Sequence, residues 1–283
     1  MIENLIFFKQ TVINIILSLN PFVLKIQFLM KFFILHICLF LIIYKSVAQN
    51  SSTKNLETTT FGHPVLSFNY SLNNPTKEWT SRFGVFNTIG GEIGYKTKKN
   101  WLFLIEGNFI FGNKYNEPSI LDNLKDSYGN ITDDQGNIAT VPIFTRGYTF
   151  SYVTGKLISF KKVNNGLLIK GGVGFLSYKY RIETNSINVP QLEGDYRMGY
   201  DRLTQGLLLS EFIGYQYVSE KNLYNFYIGF FLQQGFTRNM RTIFYDQPDL
   251  VVSNKIRNDN SYGVKIGWNI PFFNDKPKEY YYY

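Results

Sequence analysis

An eight-stranded antiparallel transmembrane β-barrel is the fold the sequence predicts, and three observations predict it. Eight segments alternate apolar and polar residues with the period of two that a strand imposes. Their connections alternate as well, short then long, so hairpin turns gather at one end of the sheet and extended loops at the other. The polar faces are mostly Gly, Ser and Asn with a few charges, which suits a crowded lumen better than a surface in water. The apolar faces are therefore expected to meet lipid.

Composition agrees. The 283 residues include 26 Phe, 21 Tyr and 23 Gly, a mixture that favours strand over helix, and no long stretch has the 3.6-residue period of a helical bundle. Cys38 is the only cysteine, so no disulfide framework exists. It lies in MKFFILHICLFLIIYKSVAQ, which begins at Met30 with a lysine, an apolar run over Phe32–Ile43 and then Ser46-Val47-Ala48. This is the pattern of a secretory signal cleaved after Ala48; about a dozen apolar residues are too few for a spanning helix, which needs roughly 20. Cys38 sits inside the run rather than at the cut, against a lipoprotein. Residues 1–29 are accounted for by an upstream methionine taken as the start in place of Met30; an extra apolar inner-membrane tether around Val12–Phe28 is the alternative. The expected organisation is thus 1–29 outside the mature chain, 30–48 signal, 49–273 barrel and 274–283 tail.

Residues 1–48 hold four lysines and one glutamate, so cleavage leaves 25 of the 29 basic and 20 of the 21 acidic residues, a net charge of +5. These charges are scattered rather than clustered with aromatics, which excludes a nucleic-acid surface and suits an anionic membrane.

The strands follow in order. Leu66, Phe68, Tyr70 and Leu72 alternate with Ser67, Asn69 and Ser71. Ile89, Gly91, Ile93 and Tyr95 alternate with Gly90, Glu92, Gly94 and Lys96. Residues 101–112 set Trp101, Phe103, Ile105, Phe109 and Phe111 opposite Glu106 and Asn108. Residues 147–160 are strand-like in composition but mixed in pattern. Residues 166–182 set Leu167, Ile169, Val173 and Phe175 against Lys170, Gly172 and Gly174, and a parity slip near Tyr178 predicts a bulge. Residues 203–218 carry Glu211 on the apolar side, a misfit. Tyr224, Phe226, Ile228, Phe230 and Leu232 alternate with Asn225, Tyr227, Gly229 and Gln233. Last, Tyr262, Val264, Ile266, Trp268 and Ile270 alternate with Gly263, Lys265, Gly267 and Asn269.

TKKN, KKVNNG and SEKN are hairpin-sized links, whereas 73–87, 113–146, 184–202 and 240–259 are long. Two aromatic girdles are expected: Tyr95, Trp101, Phe160, Tyr215, Tyr217, Tyr224 and Phe272 at the short-turn end, and Phe111, Tyr148, Tyr178, Phe236 and Tyr262 at the loop end. A soluble lipocalin-like barrel is the structural alternative; the strand lengths and the signal argue against it.

Little chemistry is legible. His63 is the sole histidine of the mature chain and has no evident orienting carboxylate, so no catalytic, cofactor or metal residue is assigned. GGVGF at 171–175 lacks the Lys-Ser/Thr ending of a phosphate loop and lies within a strand. Glu92, Glu106, Lys170 and Lys265 share the lumen face, where opposite charges are expected to pair; a salt-bridged plug is the expectation and an ion path the alternative. Asp122, Asp126, Asp133 and Asp134 lack the EF-hand spacing. Partner contacts are expected at Tyr196, Arg197, Asp201 and Arg202 in the loops. The tail tyrosines Tyr280, Tyr281, Tyr282 and Tyr283 are either disordered or an added edge strand for another protein.

GYKTKKNWLFLIEGNFIFG, GYDRLTQGLLLSEFIGYQY and GVKIGWNIPFF followed by KPKEYYYY resemble uncharacterised outer-membrane barrels of Bacteroidota, a group that includes PorT-like barrels associated with type IX secretion. The resemblance covers nearly all of the mature chain and is weak in the long loops. It implies an outer-membrane location, no enzymatic activity and a structural or accessory role among envelope proteins, and it transfers no site residue. Outer-membrane lipid and an envelope complex are the expected partners. A small-solute channel and a lipid hydrolase using His63 are the alternatives.

Overall fold

The computed structural model describes residues 62–160, 164–184, 188–219 and 224–270; the expected signal, the residues before it and the tail 274–283 lie outside them. The described strands are β1 (His63–Lys77), β2 (Phe86–Lys96), β3 (Trp101–Gly112), β4 (Ile131–Thr132), β5 (Ile138–Ala139), β6 (Ile143–Ser159), β7 (Gly166–Ile182), β8 (Thr204–Val218), β9 (Asn225–Asn239) and β10 (Arg257–Ile270). All but β4 and β5 form one closed antiparallel barrel in which each strand pairs with its neighbour in sequence and β10 returns to β1. β4 and β5 make a small ribbon within the longest loop.

The register fixes the dimensions. A circuit through hydrogen-bonded partners from Ser67 passes Glu92, Glu106, Ser151, Gly174, Leu208, Gly235 and Asp259 and re-enters β1 at Lys77, ten residues further along. A shear of ten on eight strands, at about 3.3 Å per residue and about 4.8 Å between strands, tilts the strands by about 41° and gives a wall radius of about 8 Å. The outward face of β3 from Trp101 to Phe111 then rises about 25 Å along the axis, the height of a barrel's lipid-facing band. Phe68, Ile93, Phe150, Ile213, Phe230 and Trp268 are among the large apolar side chains exposed on that wall.

Several expectations are corrected in detail. β7 pairs one-to-one with β6 along its whole length and with β8 from Gly166 to Tyr178, with no bulge in either ladder. The apparent slip arises because Leu176, Tyr178, Tyr180 and Ile182 lie on the inward parity, where the barrel's contents turn from polar to apolar. Tyr178 is fully buried, so it belongs to the interior and not to the lipid girdle. The mixed pattern of β6 has the same cause, with Val153 and Leu157 buried inside and Tyr148, Phe150 and Tyr152 outside.

The strands also outrun the lipid band, which shortens three of the long connections, to 78–85, 113–142 and 240–256, while the fourth, 183–203, is two residues longer than expected. Polar side chains hold these extensions together: inward-facing Asn73 donates through Nδ2 to Ser71 Oγ at 3.1 Å, and Thr76, on the outward parity, donates through Oγ1 to the Asn260 carbonyl at 3.2 Å. Glu211 does face outward among the lipid-facing side chains of β8, next to Leu232 of β9 and Gly171 of β7.

Candidate functional site: lumen and loop cap

The lumen is filled in layers. Nearest the short turns, Leu102, Leu104, Val153, Leu157, Leu168, Phe212, Tyr227 and Phe231 form one apolar cluster. Tyr227 fits because its paired neighbour is Gly267, where a Cβ would lie 2.2 Å from the tyrosine ring.

The four predicted lumen charges meet beside this cluster. Lys170 Nζ lies 2.5 Å from Glu92 Oε1, and Lys265 Nζ lies 2.5 Å from Glu106 Oε1; all four residues are buried. Glu92 also accepts from Tyr227 OH at 3.0 Å and from Ser67 Oγ at 3.3 Å. Glu106 accepts from Asn108 Nδ2 at 2.9 Å. Lys170 Nζ stands 4.2 Å from the Tyr227 ring centroid and 4.9 Å from that of Phe212, which offsets part of its lost hydration. Glu92 and Glu106 are direct cross-strand partners; such like charges repel unless each has a cation. The cations come from β7 and β10, so the two ion pairs cross the lumen along intersecting chords, β2 to β7 and β3 to β10.

At the long-loop end a second apolar cluster closes the barrel. Trp79 and Phe83 from 78–85, Ile120 and Leu121 from 113–142, and Val189, Leu192 and Tyr200 from 183–203 pack on Phe86, Ile110, Leu176, Tyr178 and Leu208 of the wall. Tyr178 OH donates to Asp259 Oδ2 at 2.5 Å, and Thr237 Oγ1 donates to the same oxygen.

Over this cluster runs an ion chain with one residue from each long loop. Glu117 binds Arg82 Nε at 3.5 Å and Arg202 Nε at 3.1 Å. Arg202 forks onto Asp246 at 2.8 and 2.5 Å and stacks 3.9 Å over Phe244. Arg82 continues to Thr204 Oγ1 at 2.7 Å and Asn239 Oδ1 at 2.8 Å, tying the chain to β8 and β9. Burial opposes the Arg202 charge, yet the Asp246 hydrogen bonds and the nearby Glu117 raise its pKa above the ordinary value.

The predicted partner residues divide accordingly. Asp201 and Arg202 are each 3% exposed and are spent on internal ion pairs, Asp201 with Arg241 at 2.7 Å; they offer no surface to a partner. Arg197 bonds the Leu192 carbonyl at 3.0 Å and Thr184 Oγ1 at 2.9 Å. Tyr196 remains 63% exposed, with its ring centroid 6.4 Å from that of Tyr245. Tyr280, Tyr281, Tyr282 and Tyr283 lie outside the described residues.

The acidic loop is a pair of like turns, DSYGNIT and DDQGNIA, at 126–132 and 133–139. In each, one aspartate Oδ1 accepts two backbone N–H groups: Asp126 from Tyr128 and Asn130, Asp133 from Gln135 and Asn137. Those bonds, led by the one from Asn137, hold the Asp133 carboxyl below its usual range. No three acidic, His or Cys groups gather for a cation among the described residues. His63 lines an open cavity at the short-turn mouth with Lys96, Gln216 and Asn269.

Sequence reading missed Arg82, Glu117 and Asp246 of the ion chain, and Tyr178 with Asp259 below it. The repeated D-x-x-G-N turn was a signal available in the sequence; the ion chain left none, because its members are single residues on four separate loops.

No family model matches the chain, and no curated protein matches it. Among solved structures, it is similar to Neisserial surface protein A (9% identity, 75% of this chain and 99% of that one, TM-score 0.40). It is also similar to the N-terminal β-barrel domain of Pseudomonas aeruginosa OprF (12% identity, 72% and 96%, TM-score 0.32). A third is Ail, the attachment invasion locus protein of Yersinia pestis (9% identity, 74% and 99%, TM-score 0.33).

Proposed function

We propose that this chain is an outer-membrane barrel with a sealed lumen, its long loops outside the cell, and that it acts without enzymatic chemistry as a structural or accessory component of an envelope secretion or assembly complex. The observation that carries the reading is the pairing of a plugged lumen with a fixed loop platform. Among the described residues, crossed ion pairs and apolar layers pack a wall only about 8 Å in radius, which supports a plug over a path for solutes. At the other end, the Arg82–Glu117–Arg202–Asp246 chain holds four loops in one arrangement, which spares a partner the entropy of ordering them. Tyr196, Met198 and Tyr245 are exposed on that platform, residue types that favour protein contacts.

Two measurements test it. Wild-type protein in planar bilayers is expected to give no conductance steps above the protein-free baseline; sustained ohmic steps would replace this reading with a solute channel. Gentle solubilisation from native outer membranes, with and without residues 274–283, is expected to recover stoichiometric envelope proteins. A barrel that always emerges alone would refute the accessory role.

A further inference from the structure

Basic side chains gather on the outer wall at the long-loop end of β6 and β7. In register, Phe144 stands opposite Arg181, Arg146 opposite Lys179, Tyr148 opposite Ser177 and Phe150 opposite Phe175. All four pairs lie on the outward parity, so two rows bearing three cations sit directly above the aromatic part of the lipid-facing wall. On its other side Arg146 is paired with Phe111 of β3, at the top of the apolar band.

Like charges directly opposite one another repel, and the protein supplies only part of the compensation. Arg181 lies 2.8 Å from Glu183. Lys179 lies 3.7 Å from Asp201, whose two oxygens already accept from Arg241 at 2.9 and 2.7 Å. Arg146 donates to the Thr145 carbonyl at 2.8 Å and the Gly112 carbonyl at 3.4 Å, and lies 5.0 Å from the Phe144 ring centroid. Among the described residues no carboxylate comes within ion-pair distance of it. Four cations thus share two carboxylates at the level where lipid headgroups begin, and the Lys179 and Arg181 side chains are about half exposed there, at 49% and 50%.

We propose that Arg146, Lys179 and Arg181 bind the phosphate groups of an anionic outer-leaflet lipid whose acyl chains lie along Tyr148, Phe150 and Phe175. Guanidinium forks match phosphate oxygens, a bound phosphate removes the repulsion between the rows, and the rings beneath offer the chains an apolar bed. The opposite rim has no such group on β6: Lys156 there donates to the Lys99 carbonyl at 2.8 Å and stacks over Trp101.

The inference rests on the outward orientation of the long loops, which is checked separately by labelling a cysteine placed at Val251 in intact cells. The site itself is tested with the full chain in non-ionic detergent by native mass spectrometry. The probes are bisphosphorylated lipid A, the same lipid with its phosphates removed, and inorganic phosphate as competitor. The phosphorylated lipid is expected to bind at least about tenfold more tightly than the dephosphorylated one, with binding weakened by salt. R146Q/K179Q/R181Q is expected to abolish that preference, K156Q to keep it, and equimolar inorganic phosphate to displace nothing. Heat-modifiable gel mobility confirms that each variant is folded. A folded triple variant that still prefers the phosphorylated lipid would overturn the proposal. So would equal affinity of the wild type for both lipids, or displacement by equimolar phosphate.

Discussion

Replacing Lys170 by methionine isolates the energetics of the lumen. Methionine keeps the length of the lysine stem and its contact with the Phe212 and Tyr227 rings, and removes only the charge. Glu92 then stays buried, still accepting from Tyr227 and Ser67, opposite Glu106 and with a single lysine left for two carboxylates. At 2.5 Å the gross attraction lost is about 6–7 kcal/mol at an effective dielectric of about 20. Part of that is offset because the ammonium no longer has to be dehydrated, so removing one partner of such a pair is expected to cost about 3–5 kcal/mol. Adding Glu92→Gln removes the orphaned charge and is expected to bring the barrel back to within about 1.5 kcal/mol of wild type. The assay is reversible urea unfolding in phosphatidylcholine vesicles at pH 8, followed by tryptophan fluorescence and by heat-modifiable mobility. A single variant costing under about 1 kcal/mol, or a double variant no more stable than the single, would show that the pair is not the desolvated contact described above.

Two further substitutions probe the loop cap and the outer wall. Arg202→Met strips Glu117 and Asp246 of a shared cation; the cap is expected to loosen by about 3–5 kcal/mol while the barrel stays closed. Limited proteolysis should then cut within 113–142 and 240–256 with heat-modifiable mobility unchanged, and uncut loops would count against the ion chain as the clamp. Glu211→Leu gives up the interaction Glu211 makes on the outer wall together with the cost of a carboxylate facing lipid; the second is expected to outweigh the first, so the variant gains about 1 kcal/mol in lipid vesicles. Loss of stability in that variant would place Glu211 in a contact the wall needs.

The fold was legible because lipid imposes a strict rule on the outer wall. Outward positions within the band are mostly apolar or small, with Glu211 a departure, so alternation survives in most of the eight strands and loop lengths reveal their sidedness. The interior obeys a weaker rule. It has to be filled, by ion pairs at Glu92 and Glu106, by aliphatics at Leu102 and Leu157, or by aromatics at Tyr178 and Tyr180. Where an apolar interior residue falls beside an apolar exterior one, alternation fades, as in β6, or imitates a bulge, as in β7. Lumen charges could be placed by parity alone because an ionised group has few other places to go. Arg202 and Asp201 carried no comparable mark: in a loop the same residue types serve equally as surface contacts or as buried clamps, and only the packing of four loops against one another separates the two.

The crossed lumen pairs have a consequence beyond stability. Buried ion pairs are often no more stabilising than apolar residues of the same volume, so their energetic effect does not by itself account for their place in the lumen. Geometry supplies a stronger reason. The seam between β1 and β10 joins the first and last strands of the barrel and is its least local pairing. A slip of two residues there preserves which face meets lipid, so the exterior pattern cannot forbid it. It would, however, carry Lys265 about 7 Å along its strand and out of reach of Glu106, leaving both charges buried and unpaired. The pair from β3 to β10 therefore penalises the slips that the apolar alternation permits, and the pair from β2 to β7 does the same across the intersecting chord. The doubly neutral barrel of the first experiment should accordingly recover its unfolding free energy, and Lys265→Met/Glu106→Gln added to it should remove the remaining selection of register. Amide resonances of β1 and β10 that split into several sets in that fourfold variant would identify the charges as what fixes a shear of ten. A single sharp set would assign that role to the packing of Tyr227 on Gly267 and of Trp79 on Phe86 instead.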